Sequence, residues 1–430
     1  MPRLKAWIGN PPLILRMKRL LANASGIIHY CVPTLLLSAV PWAWRLGRTQ
    51  QREPVRHTTP VSIIIFRLDG IGDVVLSSAM LRELRRLYPT AHITLVVSSS
   101  SRSLVEHCPY VDEVLDKPTG FESLRSMFAD LKAMVAFSSQ QLRGRHWDLA
   151  LVPRWGVDVY FATLMSLYTG ATRRVAFTEK VSAGKRRLNW RFDTLFTDVL
   201  PPCSPSKHEL ERDLDIVRYL GGHIEATNPE VWLTPADEAY AARSCRDFGL
   251  TGSETLIAFG IGAGHRMRRW PARAFAELID ILRSGVEFTS AILCGADEQG
   301  IAQEIQAFTG ARLLLLQRPS LRETAAFLSR CTLFIGNDSG PMHMAAAVGL
   351  PVVEISCHPA DGDTEGAHSP VRFGPFTSRA TIVQPDRAKE PCTRSCSARD
   401  AHCITQVSPA QVAERAIRLL HKHSTLCVDK

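Results

Sequence analysis

The chain reads as an α/β protein with two Rossmann-like doubly wound domains facing a cleft, preceded by a basic, apolar N-terminal extension. Three observations carry this reading. Apolar strand-like runs alternate with helix-period segments; the alternation breaks over residues 227–238 and then restarts; and in each half an apolar strand runs directly into a glycine-containing turn. A length of 430 residues suits two ordinary domains. The expected divisions are an extension over 1–57, a first domain over 58–235 and a second over 236–430.

In the first half, 61–68 is a buried strand and 74–87 a helix that ends before Pro89. Strands follow at 93–98 and 147–154, with helices at 160–168 and 209–220. The stretch LPPCSPS (200–206) interrupts this half, and TNPEVWLTPADE (227–238) reads as the interdomain connection. The second half opens with a strand and loop over 254–264 and continues with a helix at 272–284, a strand at 288–294 and a helix at 297–308. Next come a strand at 312–316, a helix at 321–328, a strand at 332–335, a helix at 342–348 and a strand at 351–355. A late amphipathic helix over 409–420 is expected to cross back onto the first domain. Ligands in such sheets bind at the carboxyl ends of the strands, so both glycine turns should face the cleft.

Charge narrows the partners. The formal net charge is +9, but up to His57 there are nine Lys/Arg against one acid, Glu53, so the remainder carries only about +1. Such a remainder is no general polyanion binder, and nucleic acid is not an expected partner. The extension encloses GIIHYCVPTLLLSAVPWAW (26–44), which is about long enough to span a bilayer. Pro33, Pro41 and His29 weaken a plain span, whereas Trp42 and Trp44 beside Arg45 resemble an interfacial belt. A peripheral membrane contact through 1–57 is the favoured reading, with a true span or a soluble helical extension as alternatives. A cleaved signal peptide fits poorly.

Eleven scattered cysteines suit reduced thiols and a cytoplasmic setting. Cys392, Cys396 and Cys403 cluster as C-x3-C-x6-C with His402 adjacent. Zinc is one reading, although the spacing matches no standard finger; a disulfide and a loop of partly buried thiols are the others.

The first turn, FRLDGIGDVV (66–75), has Gly70 and Gly72 where a dinucleotide fingerprint has its first glycines, but Val75 where a third small residue belongs. It also carries two acids, Asp69 and Asp73. Asp69 reads as turn or cap chemistry. In the second half, FIGNDSGPMHMAAAVGLPVV (334–353) runs a short strand into Asp338, Ser339, Gly340 and Pro341. Asp or Ser caps free amides, Pro suits a first helical turn, and such a helix start binds phosphate through its N–H groups and dipole. His343 follows one turn in. Upstream, GIGAGHRMRRWP (260–271) puts Arg266, Arg268 and Arg269 after a glycine loop, where a planar guanidinium suits two diphosphate oxygens. Glu298, at the end of GADE (295–298), suits ribose hydroxyls. Each motif alone also has a bland reading as a capped helix, a solvated basic loop or a strand end.

Together the turns resemble family-nine glycosyltransferases, the lipopolysaccharide heptosyltransferase family. The resemblance runs from about residue 61 to 420. It rests on FRLDGIGDVVLSSAMLRELRRLYPTAHITLVV, CPYVDEVL, WDLALV, KHELERDLDIVRYLG, Arg268-Arg269-Trp270-Pro271, GNDSGPMHMAAAVGLPVV and the late cysteines before VSPAQVAERAI. The chain departs from the family's Gly-rich turn after Ile355, where it reads SCHPADGDTEGAHSP. The resemblance implies a GT-B fold and an inverting transfer of heptose from an ADP-activated donor to a lipid-linked oligosaccharide acceptor, without metal or cofactor, at the cytoplasmic face of the inner membrane. By position it makes Asp73 the general base and Gly70 and Gly72 the acceptor-side turn. Arg268 falls at the donor diphosphate, and Asp338, Ser339, Gly340 and His343 in the donor-phosphate loop. Two alternatives belong to other classes: a GT-B-like nucleotide-sugar epimerase or hydrolase, and a non-catalytic sugar-nucleotide binder at the membrane.

Overall fold

The computed structural model describes residues 59–118, 124–202, 206–252, 254–317 and 319–428. The expected extension over 1–57, with its apolar run, lies outside the described residues. Among those described, no helix is long and apolar enough to cross a membrane.

Twelve described strands are β1 (Ser62–Arg67), β2 (His92–Ser98), β3 (Glu113–Lys117), β4 (Leu149–Val152), β5 (Arg173–Phe177), β6 (Asp198–Leu200), β7 (Leu256–Gly260), β8 (Thr289–Cys294), β9 (Leu313–Gln317), β10 (Leu333–Asn337), β11 (Val352–Ile355) and β12 (Ala380–Val383). Their orders are β3-β2-β1-β4-β5-β6 in one sheet and β12-β11-β10-β7-β8-β9 in the other. Counted from its own first strand, each sheet has the same doubly wound order, as the alternating pattern predicts. β1 shows why: Ile63 to Arg67 are all buried, as befits a parallel strand covered on both faces.

Six helices bear on the site: α1 (Ile71–Leu76), α2 (Ser78–Leu87), α3 (Glu209–Tyr219), α4 (Ala272–Arg283), α5 (Gly340–Ala347) and α6 (Pro409–Val428). The single helix expected over 74–87 is therefore two. They meet at Ser77, whose Oγ lies 2.8 Å from Asp73 O and 2.7 Å from Asp213 Oδ2. A hydroxyl bonded back to a carbonyl four residues earlier competes with the helix ladder. The strands β3, β5, β6 and β12 were not expected from the sequence. Each is short, and β3 and β12 carry few fully buried positions.

Internal contacts group Pro60–Pro118 with Cys203–Lys430 as one compact unit and place Thr119–Pro202 in another. In the first of these, β7 and β10 lie side by side with Gly260 in register with Gly336. A β-carbon at Gly336 would stand 2.6 Å from Gly260 O, so only glycine permits this approach. This pair is the topological switch point of its sheet, where a doubly wound fold opens a crevice for ligand. Beneath it lies a core of Phe259, Trp270, Phe275, Ile335 and Val353. Val412, Ala413 and Ala416 of α6 bury themselves in the same core, and Trp270 Nε1 donates to Val407 O at 3.1 Å. The late helix thus seats its apolar residues on the second sheet and α4.

Candidate functional site

The candidate site residues all lie within the unit of Pro60–Pro118 and Cys203–Lys430. The first turn begins where β1 ends. Gly70 is the extended N-cap residue of α1, and its N–H donates to Asp73 Oδ2 at 3.1 Å. Asp73 is thus the third residue of its own helix, half-buried, with one carboxylate oxygen turned onto the cap.

Asp69 has a separate duty. Its Oδ2 accepts from Arg67 Nη1 at 2.9 Å, and the other end of that guanidinium binds Asp213 of α3. Arg67, Asp69 and Asp213 are all buried. Burial opposes charge on Arg67, but Asp213 and Asp69 hold it above its ordinary range. This network ties the end of β1 to α3, and Ser77 ties α1 to the same carboxylate. The sequence marks Asp69 as part of a turn but says nothing of Asp213, which lies 146 residues from Arg67.

The second turn follows β10. Asn337 is fully buried; its Nδ2 donates to Ile261 O at 2.8 Å, and its Oδ1 accepts from Trp270 N at 3.0 Å. It therefore holds the loop after β7 beside the loop after β10. Ser339 is the N-cap of α5 by backbone, but its hydroxyl donates to Asn337 O at 3.1 Å and does not cap the helix as expected. The expected capping role of Asp338 is also unmet, since its Oδ2 accepts from Arg268 Nη1 at 2.9 Å. Burial opposes the charge on Arg268, and Asp338 holds it above its ordinary range, with a smaller contribution from Asp73.

The two turns meet directly. A β-carbon at Gly72 would come within 2.4 Å of His343 Cδ2, and one at Gly340 within 2.8 Å of Ile71 Cγ2. Each glycine thus makes room for a side chain of the other helix. His343 is buried, its Nδ1 has no hydrogen-bond partner, and burial pulls its imidazole down to about 4. Its place at the start of α5 is consistent with a neutral ring, since a helix N-terminus disfavours a cation.

Glu298 lies over the ends of β7 and β8. A β-carbon at Gly262 would stand 2.7 Å from its Oε1 and one at Gly295 2.5 Å from its Oε2, with Arg269 Nη2 3.9 Å from Oε1. The structure thus brings Gly72, His343 and Gly340 together and pairs Arg268 with Asp338. Glu298 belongs to the neighbouring strand ends.

Three groups escaped the sequence reading. His265 and His368 have ring centroids 5.4 Å apart, and burial, with Arg268 next, pulls His368 down to about 4. His368 sits in the stretch that departs from the family pattern. Glu354 of β11 is buried with Oε2 unpartnered, and burial beside Asp338 pushes it well above the carboxylate range. Finally, the KHELERDLDIV stretch clamps α3 to the segment between β11 and β12. Glu209 Oε1 accepts from Arg372 Nη2 at 2.6 Å, and Arg212 Nη2 donates to both oxygens of Glu365. No local spacing signals these pairings.

The model of glycosyltransferase family 9 (heptosyltransferase) matches residues 139–402 of the chain. Lipopolysaccharide core heptosyltransferase OpsX of Haemophilus influenzae is 24% identical over 338 residues, covering 77% of this chain and 86% of that protein. The crystal structure of a family 9 glycosyl transferase from Veillonella parvula superposes with a TM-score of 0.66 at 20% identity, over 84% of this chain and 97% of that one. The solved structure of E. coli ADP-heptose lps heptosyltransferase II gives a TM-score of 0.60 at 20% identity, over 84% of this chain and 99% of that one. These structural likenesses show the shared α/β fold.

Proposed function

Since the chain belongs to glycosyltransferase family 9, we propose that it moves heptose or a related sugar from an ADP-activated donor to a lipopolysaccharide core or other surface glycan. The reading adds inversion at the anomeric carbon and no metal in the chemical step. Similar proteins are named for these substrates: a lipopolysaccharide core heptosyltransferase and an ADP-heptose heptosyltransferase. Residues 58–235 serve the acceptor and 236–430 the donor.

The observation that carries the reading is the direct seating of α1 on α5, through Gly72 against His343 and Gly340 against Ile71. Asp73 of α1 also makes a small contribution to holding the charge on Arg268, after that of Asp338. A carboxylate, a helix start and a cation on one side of the molecule support the reading, because a displacement with an anionic leaving group needs a proton acceptor and anion stabilisation.

In this mechanism an acceptor hydroxyl attacks the anomeric carbon opposite the departing ADP, through an oxocarbenium-like state. Asp73 takes the hydroxyl proton as the new bond forms. An ordinary carboxylate suffices because that proton becomes acidic only late. Negative charge grows on the diphosphate and is met by the N–H groups at Ser339 and Gly340 and by Arg268, held in place by Asp338. Glu298 holds the ribose hydroxyls. Burial keeps His343 neutral, so it fills the junction of the two helices without adding charge. Residues 1–57 hold the enzyme at the cytoplasmic face of the inner membrane, beside its lipid-linked acceptor.

The test is incubation with a panel of nucleotide sugars, with and without a heptose-deficient lipopolysaccharide acceptor, read by mass spectrometry. Acceptor-dependent release of ADP with one added heptose mass is the expected result. Turnover of nucleotide sugar without acceptor would replace transfer by hydrolysis or epimerisation.

A further inference from the structure

Between β12 and α6 the chain runs from Gln384 to Ser408 with only one 3-10 turn, Cys403–Gln406, yet Cys392, Cys396 and Cys403 are buried in it as free thiols. One ligand atom from each of these cysteines and one from His402 all lie within 4.8 Å of one another. The imidazole is aimed inward: His402 Nδ1 lies 3.7 Å from Cys392 Sγ and 3.6 Å from Cys403 Sγ.

Those distances have a chemical meaning. In a tetrahedral zinc site the Zn–S bond is about 2.3 Å and the Zn–N bond about 2.0–2.1 Å, so neighbouring ligand atoms stand about 3.6–3.8 Å apart. The ring nitrogen already stands at that separation from two of the thiols. The backbone amide of Ser397 approaches Cys392 Sγ at 3.4 Å, the outer-shell hydrogen bond that thiolate ligands commonly receive. A disulfide would use two of the sulfurs and leave the third beside an imidazole turned toward it for no gain. Simple burial does not explain one ring nitrogen shared between two thiols.

We propose that Cys392, Cys396, His402 and Cys403 bind one zinc ion in a closed site of three sulfurs and one nitrogen. Three thiol protons pass to solvent on binding, and the neutral imidazole coordinates through Nδ1. A closed set of four protein ligands leaves no open position for substrate or water, so the ion is structural. It staples a segment that has little backbone order of its own. The staple adjoins the donor side of the molecule: Cys357, two residues beyond β11, shares its buried cluster, and so does Trp270, two residues beyond Arg268. The ion takes no part in the transfer step, so this site stands or falls apart from the glycosyltransferase reading.

The experiment uses the full chain purified without chelator. Zinc measured by mass spectrometry should be one per chain after dialysis and should be lost in Cys396→Ser. Exchange into cobalt(II) should give a thiolate-to-metal charge-transfer band and the intense visible bands of a tetrahedral site. A strong chelator should lower the thermal midpoint of the unsubstituted chain and raise its count of reactive thiols by three. Zinc no higher than in Cys396→Ser, with no charge-transfer band from cobalt, would overturn the proposal. So would a disulfide among Cys392, Cys396 and Cys403 in non-reducing peptide maps. If Cys396→Ser does not fold, the cobalt spectrum of the unsubstituted chain decides.

Discussion

The imidazole of His343 occupies the space that any side chain at Gly72 would need. A residue that reads in sequence as the second glycine of a nucleotide turn is, in the structure, the floor on which another helix rests. Gly72→Ala should therefore destabilise the protein by about 1–3 kcal/mol, as overpacking of a close contact does. Adding His343→Ala should recover part of that loss, because the clash needs both partners. Thermal melts of the two single variants and the double variant check this, and strictly additive losses would refute the contact.

Asp73→Asn keeps an oxygen that can accept from Gly70 N, so the helix start should survive. It removes the proposed proton acceptor. Turnover should fall by about 10²–10⁴-fold, while ADP affinity by calorimetry stays near that of the unsubstituted enzyme. Near-normal transfer would remove Asp73 from the role of base.

Arg268→Ala deletes the cation and leaves Asp338 buried without it. The transfer barrier should rise by about 2–4 kcal/mol, with weaker ADP binding, and Arg268→Lys should restore part of both. Unchanged kcat/KM and ADP affinity would make this arginine a structural partner of Asp338 alone.

Acid should expose the buried histidine. His343 titrates near 6.5 when unfolded but is pulled down to about 4 by burial in the fold. The unfolded chain binds the proton more readily, so this contribution is intact above pH 6.5 and is lost as pH falls toward 4. Over that window it is worth on the order of 3 kcal/mol. His368, also near 4, titrates in the same window. The diagnostic is therefore the difference between the unsubstituted protein and His343→Gln in denaturant melts at several pH values. A parallel pH dependence in both would contradict the assignment.

Deletion of residues 1–57 lowers the formal net charge of the chain from +9 to about +1. The truncated protein should move from the membrane to the supernatant on fractionation and keep a cooperative thermal transition. An unchanged distribution would refute the membrane contact.

Much of this architecture was legible in the residues. The run of β-branched residues into Gly70, its counterpart running into Asp338, and the helix periods between them follow from local preferences, so they mark the strands and the fold class. The short strands β3, β5, β6 and β12 were not legible, since each has its conformation set by the neighbour it pairs with and little by its own composition. For the candidate site, the sequence singled out Asp73, Arg268, Glu298 and the Asp338–His343 turn. It predicted caps at Asp338 and Ser339 that the structure spends otherwise, one on Arg268 and one on Asn337 O.

The sequence by itself determined the two-sheet α/β class, the two glycine turns and the family resemblance, because these depend on residues near one another along the chain. Only the tertiary structure decided that Gly72 and Gly340 are contact points between helices, that Asp69 belongs to a buried ion network, and that three cysteines gather around one histidine nitrogen. Arg67 and Asp213 are 146 positions apart, and no local preference carries information over that distance. Burial then biases the charge states: it pulls the His343 imidazole down to about 4 and pushes the Glu354 carboxyl well above the usual carboxylate range, which no motif states.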